Sequence, residues 1–490
     1  MPVRKAVSSH RGHKSRKQPA RSRSTNAPGA GGSAEPSIGE LDRRASSDCD
    51  LCKRNRTFKL PANVVQAAKR GRLLIFAGAG ISTEGSIAYP QTLYERISSE
   101  LGATLVAGSS FPAVMSAYEA EHGRPRLLQG IKSHLDYVEA FPEVELMVTR
   151  FHSEMATISG LQEIVTTNWD TLFETATGAE PIVIPDDYAF WDLPGRKVFK
   201  IHGSMTNLST LVITKADYDK CYRRLSRGII GSTLKHLLAV RTPLFVGYSF
   251  EDEDFNRIYR YLRREMRDIL PRACIVTIDH RITPDTHDGA VVIHTDATYF
   301  MAQLKQRLVA DGVMIGEDRF LGIAKRIRKI SAAHSSLRRT TTVKAHPSVI
   351  FAYAYLDGQR HGFTRMLSRL RTGEYSHDHD VQHKAQAYDR LRTAATQRHM
   401  YSEAAYLQGY ADALIYLLVP DDGRRFAPLY YAFGCGGGFR TLSEYRSALG
   451  HLASLHKASF REAKRWADRH LETTEPHHPP FLHPSLADID

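Results

Sequence analysis

Short unbroken apolar runs punctuate the first two thirds of the chain. They are Leu73–Ala77 (LLIFA), Glu163–Thr167, Val198–Ile201, Pro243–Gly247 and Cys274–Asp279, with Ala290–His294 as a sixth. A strand covered on both faces has no polar side to alternate with, so such runs read as buried strands of a parallel sheet. Helix-like stretches lie between them, among them Phe111–Leu128, Leu146–Ile158, Phe255–Arg267 and Tyr299–Val309. Pro61 suits a first helical position and opens a helix over Ala62–Arg70, which Gly71 ends. Strands alternating with helices predict βαβ units, hence an α/β fold built on a doubly wound parallel sheet of Rossmann type. This unit spans 59–312 and closes near Asp311.

Beyond it, residues 313–346 hold Lys325, Arg326, Arg328, Lys329, Arg338, Arg339 and Lys344 among Ser and Thr. They read as a basic linker or as the exposed face of a helix. From Pro347 the pattern turns mostly helical, with Lys384–Leu418 the longest such stretch. Gly434, Gly436, Gly437 and Gly438 interrupt it before Ser443–His470 turns helical again. A separate, mostly α-helical domain is therefore expected over 347–475, with a Pro- and His-rich tail over 476–490. There is no internal repeat.

Composition narrows the class. A chain of 490 residues with 42% hydrophobic and 24% charged residues can bury a core and is not wholly disordered. No run approaches the ~18 apolar residues of a membrane span, and the basic start lacks the apolar segment of a secretory signal. Five cysteines cannot all pair, and only Cys49 and Cys52 are close together. A reducing, cytoplasmic setting follows as the expectation. Net charge is +13, but residues 1–25 alone carry eight Lys or Arg and no acidic residue. Residues 1–58 thus read as a disordered basic tail. The tail reads first as a solvated segment. Contact with a phosphate polymer, or an Arg-rich presequence without an apolar face, are the other readings. Nucleic-acid binding through the tail and residues 325–344 stays open as an accessory role.

The candidate chemistry begins at the end of the first strand, in Gly78-Ala79-Gly80-Ile81-Ser82. Glycines there let main-chain N–H groups approach a phosphate at a helix start, although a tight turn with no ligand has the same sequence. Three motifs follow in order: Thr166-Thr167-Asn168-Trp169-Asp170, Lys200-Ile201-His202-Gly203, and Val246-Gly247-Tyr248-Ser249-Phe250 with Asp252 and Asp254. Taken together the four resemble the SIR2 (sirtuin) family over roughly residues 60–312, and most closely the bacterial SIR2-like domains of anti-phage defence proteins.

Two departures separate this chain from sirtuin deacylases. Those enzymes carry two Cys-x-x-Cys pairs of a zinc ribbon between the His-Gly motif and the later Gly-x-Ser, whereas Cys221 is the only cysteine between His202 and Gly247. Four thiolates are not there to close a structural zinc site, and Cys49 and Cys52 lie outside the interval. The deacylase segment Gly-Ile-Pro-Asp-Phe-Arg is replaced by Ser86-Ile87-Ala88-Tyr89-Pro90-Gln91, without its Asp and Arg. The resemblance thus implies NAD as a substrate that is hydrolysed, with no zinc.

Breaking the nicotinamide–ribose bond builds an oxocarbenium-like centre, and the cationic leaving group needs little acid help. The site must exclude stray water and position one nucleophile. Asn168 follows a strand, and its amide both donates and accepts, so it can order a water and a ribose hydroxyl at once. By resemblance it is catalytic, and Asp170 would bind the nicotinamide carboxamide; for both the alternative is a strand-to-helix cap. His202 also follows a strand, where an imidazole can accept a proton from a ribose hydroxyl or water near neutrality. Gly78, Ala79, Gly80, Ser82, Gly247 and Ser249 suit the ribose–phosphate portion of NAD. Asp279 can accept from the adenosine ribose hydroxyls, and Asp296 with Ala297 resemble the family's adenine-side turn. Asp252 and Asp254 serve equally well as helix caps.

The leading reading is an NAD+ hydrolase effector of anti-phage defence, restrained by its C-terminal half, by homo-oligomer formation or by an activating partner protein. An NAD-dependent protein deacylase and an inactive NAD or nucleotide-derivative sensor are the alternatives. If the zinc ribbon is absent, purified protein contains no stoichiometric zinc and keeps its activity in chelator. One tightly held zinc per chain, with activity lost on chelation, would restore the deacylase reading.

Overall fold

The computed structural model describes residues 53–82, 91–102, 108–250, 253–285, 287, 289–419, 427–436 and 438–470. The basic tail over 1–25, Cys49 and Cys52, Ser86–Pro90, Asp252 and the tail over 476–490 lie outside them. So does the side chain of Asp254.

All six expected strands form, each within two residues of the expected bounds, and a short seventh joins them. In chain order they are β1 (Leu73–Ala77), β2 (Glu163–Thr166), β3 (Glu180–Ile182), β4 (Lys197–Lys200), β5 (Thr242–Val246), β6 (Cys274–Thr277) and β7 (Val291–His294). Every pairing is parallel, in the order β3-β4-β2-β1-β5-β6-β7. The chain winds outward from β1 in one direction through β2 and β4, then in the other through β5, β6 and β7. That is the doubly wound, Rossmann-like sheet. The strand β3 escapes sequence reading because it has three residues, one of them Pro181, and sits at the edge, where a missing N–H costs least.

Alternate residues of β1 feed two cores. Leu73, Ile75 and Ala77 pack with α1 (Ala62–Lys69) and the helix Ala297–Ala310 on one face. Leu74 and Phe76 pack on the other with Phe245, Phe255 and the helix Ile229–Val240. Phe76 is fully buried, its ring centroid 4.4 Å from that of Phe255. The stretch expected as one helix over Phe111–Leu128 is two, Phe111–His122 and Arg124–Ala140, because Gly123 takes a φ of +82° between them.

Residues 54–490 form one compact unit, and the C-terminal region is mostly helical. The basic segment 313–346 is largely the helix Glu317–Thr340. Its Lys325, Arg328, Lys329, Arg338 and Arg339 are exposed, while Ile323, Ile330, Ala333 and Leu337 enter the helical core. Arg326 departs from the expected exposed row: it is buried, donates to Gln359 Oε1 at 3.3 Å and to the Ala427 carbonyl, and lies over the Tyr416 ring. The long stretch Lys384–Leu418 is likewise two helices, Asp378–Gln397 and Tyr401–Leu418, broken where His399 adopts a φ of +61°.

The centre of this region is the crossing of Val349–Ser368 with Tyr401–Leu418, where backbones meet closely over small residues. A Cβ on Gly409 would lie 2.1 Å from Tyr355 O, and one on Gly358 would lie 2.0 Å from Tyr406 O. Gly409→Ala should therefore force the helices apart and cost roughly 1–3 kcal/mol, read as a lowered midpoint in chemical unfolding. An unchanged midpoint would show that the crossing tolerates a methyl group.

Candidate active site

The sheet register defines one rim. Ala77 pairs with Thr166 and Val246, Thr166 with Lys200, Val246 with Val276, and Val276 with Ile293. The chain leaves every strand on the same side just beyond this row. Where the strand order reverses about β1, such a rim opens a crevice, the usual ligand position in open α/β sheets. Gly78–Ser82, Asn168 and Asp170, His202, Gly247 and Ser249, Asp279, and Asp296 with Ala297 follow β1, β2, β4, β5, β6 and β7 respectively.

The centre of the rim is a hydrogen-bonded chain. Asn168 Nδ2 donates to Ser82 Oγ at 3.0 Å, and the Ser82 hydroxyl donates to Asp170 Oδ2 at 3.3 Å. Because the single hydroxyl proton goes to Asp170, the amide must present its NH2 to Ser82 and turn Oδ1 away. That Oδ1 is buried and has no hydrogen-bond partner among the described residues. A buried acceptor left so costs on the order of 1–3 kcal/mol, and a ligand hydroxyl or a held water would supply its donor. The backbone beneath is pinned as well: Asn168 N donates to Thr166 Oγ1 at 3.0 Å, and the Thr166 hydroxyl donates to Ala77 O at 3.1 Å.

Asp170 is also a cap. Its Oδ1 accepts from Leu172 N at 3.1 Å at the start of the helix Leu172–Thr177. Below it, Lys200 is almost wholly buried, donates from Nζ to the Asp170 carbonyl, and pairs with Glu174 Oε1 at 3.0 Å. Burial pushes the Glu174 carboxyl above its usual range against the pull of Lys200. His152 is fully buried with its ring centroid 4.5 Å from that of Phe173. Burial pushes its imidazole down to about 4, although the Asp170 carboxylate pulls the other way.

Asn168 and His202 each stand two residues beyond a register pair, Thr166 and Lys200, so they leave neighbouring strands at equivalent positions. His202 is buried, with the Tyr218 ring edge-on at 5.1 Å. Gly203 after it has a φ of +90°, and a Cβ there would lie 2.3 Å from Thr210 O. Only glycine allows the chain to fold back so closely. The returning segment then holds both loops: Val212 N donates to His202 O at 3.0 Å, and Met205 N to Trp169 O at 2.9 Å.

The glycines after β1 and β5 interlock. Gly78 N donates to Val246 O and Gly80 N to Gly247 O, both at 3.0 Å. A Cβ would lie 2.5 Å from Gly247 O on Gly78, and 2.4 Å from Ile81 N on Gly247. Two of the N–H groups expected to face a phosphate are thus spent inside the protein. Ser249 is exposed on the same rim. Toward β7, Asp296 Oδ1 caps the helix Ala297–Ala310 by accepting from Thr298 N at 2.9 Å and Tyr299 N at 3.1 Å. Ala297 is the first residue of that helix. The Asp279 carboxylate is gripped by Arg281, whose Nε and Nη2 lie 3.0 and 2.7 Å from its Oδ2. These bonds hold its carboxyl down to about 2.

The chain is similar to known proteins over part of its length. Residues 162–291 match the family model described as SIR2-like domain. Among curated proteins, an NAD(+) hydrolase ThsA from Enterococcus faecium is 29% identical over 219 residues, 43% of this chain and 44% of that protein. A protein of the same name from Bacillus cereus (strain MSX-D12) is 30% identical over 216 residues, 42% of this chain and 43% of its own length. Defense-associated sirtuin 2 from Bacillus subtilis is 22% identical over 242 residues, 46% of this chain and 22% of that protein. The match spans less than half the length of each. Among the described residues no group of three or more His, Cys, Asp or Glu is placed to hold a metal ion, and no helix is long and apolar enough to cross a membrane.

Sequence reading passed over Thr166, Lys200, Glu174 and His152 as parts of the site. The one signal available was Lys200 itself, a cation at the end of an apolar strand that must be paired if it is buried. His152 generates a prediction. Its imidazole stays neutral in the fold down to about 4, whereas the unfolded chain takes up that proton near 6.5. The stability this group confers is whole above pH 6.5 and drains away as pH falls to 4, to on the order of 3 kcal/mol. His152→Phe should flatten the fall in thermal midpoint across that window; an unchanged slope would assign the acid sensitivity to other groups.

Proposed function

We propose that this rim binds NAD and hydrolyses its nicotinamide–ribose bond, and that the protein acts by depleting NAD in anti-phage defence. The observation that carries the reading is the buried, unpartnered Oδ1 of Asn168 beside buried His202 at the switch point of the sheet. The names of the ThsA and defence-associated sirtuin relatives support it.

In this reading the bond from ribose C1′ to the nicotinamide nitrogen breaks, and its electron pair neutralises the leaving ring. Water oxygen then bonds to C1′ and loses a proton. Asn168 Oδ1 accepts a hydrogen bond from that water or from a ribose hydroxyl, and its orientation is set by Ser82. His202 takes the released proton. Asp170, held by Ser82 and by the helix it caps, presents its remaining lone pairs to the carboxamide. Gly78–Ser82 and Gly247–Ser249 line the ribose–phosphate path, and Asp279, Asp296 and Ala297 the adenosine side. Preorganisation matters more than acid strength here, because the leaving group is already cationic.

Unrestrained, such an activity would exhaust the host's own NAD. The helical region, as a sensor or partner-binding domain over 347–475, restrains it in this reading, with assembly into a homo-oligomer or an activating protein shifting the equilibrium toward the active state. The setting is cytoplasmic, and nucleic acid bound by the basic tail or residues 325–344 is an accessory.

His202→Ala and Asn168→Ala should each abolish nicotinamide release from NAD while leaving the unfolding midpoint within about 1 kcal/mol, since both sit on loops. Ser82→Ala should retain binding and lower kcat by roughly 10- to 100-fold, because it frees the amide to flip. The check is product resolution over time, in extract that contains the natural activator or in cells. Parental turnover in the His202 or Asn168 variant would remove that residue from the chemistry.

A further inference from the structure

The adenosine side of the rim is richer in cations than an NAD ribose pocket requires. In doubly wound sheets, a carboxylate at a strand end accepts from the two ribose hydroxyls of NAD, while an arginine nearby accommodates the 2′-phosphate of NADP. Here the carboxylate of Asp279 is occupied by Arg281. Nε lies 3.0 Å from both Oδ1 and Oδ2, Nη2 lies 2.7 Å from Oδ2, and Arg281 N donates to Oδ1 at 2.9 Å. The guanidinium side chain is 90% exposed and its partner 34%. An exposed pair of this kind is weak, so a phosphate dianion that offers a second fork of acceptors competes well for the arginine.

Two histidines and a further arginine stand at this end of the sheet. His280 and His294 stand at the ends of β6 and β7 with ring centroids 4.8 Å apart. Burial first, then His280 and Arg56, hold the His294 imidazole below its usual range, against the pull of Asp279. The segment carrying Arg54 and Arg56 crosses the end of β7: Arg54 O accepts from Asp296 N at 3.1 Å, and Arg56 N donates to Thr295 Oγ1 at 3.1 Å. Asp296, at the end of β7, is committed to capping its helix.

We infer that Arg281, with Arg56, His280 and His294 around it, forms a phosphate subsite, so that the protein takes dinucleotides carrying a 2′-phosphate on the adenosine ribose, of the NADP class, at least as well as NAD. The inference rests on the rim being the dinucleotide site proposed above. Its test separates binding from chemistry. Adenosine 2′,5′-bisphosphate and 5′-AMP, which cannot be cleaved, are titrated into the full chain by calorimetry at fixed salt.

The bisphosphate should bind about tenfold tighter, the size of one charge-assisted interaction. Arg281→Ala, at an exposed side chain, should remove that difference. Asp279→Asn should widen it, because the Asp279 carboxylate no longer competes for Arg281. Equal binding of the two nucleotides, no binding of either, or a preference untouched by Arg281→Ala would overturn the subsite. Nicotinamide release from NAD and NADP is then compared in activated protein. Release from NAD alone sinks the inference and leaves the hydrolase reading standing. A bisphosphate preference that depends on Arg281, with release from neither dinucleotide, does the reverse.

Discussion

Between the turns after β1 and β5 there is no room for a side chain. Gly78, Gly80 and Gly247 bring two backbones together so closely that a Cβ on Gly78 or Gly80 would lie within 3.0 Å of Gly247 O, and one on Gly247 within 3.0 Å of Ile81 N. The two hydrogen bonds from Gly78 N and Gly80 N hold them there. This close approach sets the path of the chain out of β1, and so the position of Ser82. From there Ser82 reaches across to the loop after β2 and orients Asn168. The glycines serve the site by letting one loop be built against another, and a free N–H toward a ligand is secondary at these two positions.

The rest of the rim follows from the cost of burying polar groups. Lys200 is a charge in the floor of the sheet, tolerable because Glu174 and the Asp170 carbonyl surround it. In meeting that need it ties the Asn168–Asp170 loop to the strand that leads to His202. The result is a rim whose two halves differ. Around β2 and β4 the groups are buried and mutually bonded, and Asn168 Oδ1 has no hydrogen-bond partner among the described residues. Around β6 and β7 they are more exposed, with Arg281 held by Asp279.

The helical region meets the sheet away from this rim. Arg196, just before β4, donates to the carbonyls of Leu161, Ala156 and Ile158 and also to Thr372 O at 3.2 Å. Burial alone pushes its guanidinium down to about 10. Ile315 N donates to Ser376 O at 2.8 Å close by. The strand β4 thus has Arg196 and its contact with the helical region before one end and His202 beyond the other, about 20 Å apart at the rise of an extended strand. Within the helical core, Tyr355 donates to Asp412 Oδ2 at 2.5 Å, and Gln359 links that pair to Arg326. Burial raises the Asp412 carboxyl to about 6. Like the small-residue crossing beside it, this network depends on a single arrangement of the helices.

The sequence alone determined six of the seven strands, the parallel character of the sheet and the loops that carry the candidate site residues. A strand buried on both faces must be apolar throughout, and a turn that admits no Cβ must be glycine, so both leave marks a reader can find. It also singled out Asn168, His202 and the glycine turns by residue type and order. It did not separate Phe111–Leu128 or Lys384–Leu418 into two helices each, because one residue of positive φ, Gly123 or His399, is a backbone event with little periodic signature. Nor did it show that Asp279 would be gripped by Arg281, that Asp296 would be spent on a cap, or that Lys200 would lie beneath Asp170. Those outcomes were decided by tertiary structure, since whether a polar side chain is free depends on which donors and acceptors the fold brings within about 3 Å, and they come from residues up to 30 positions away.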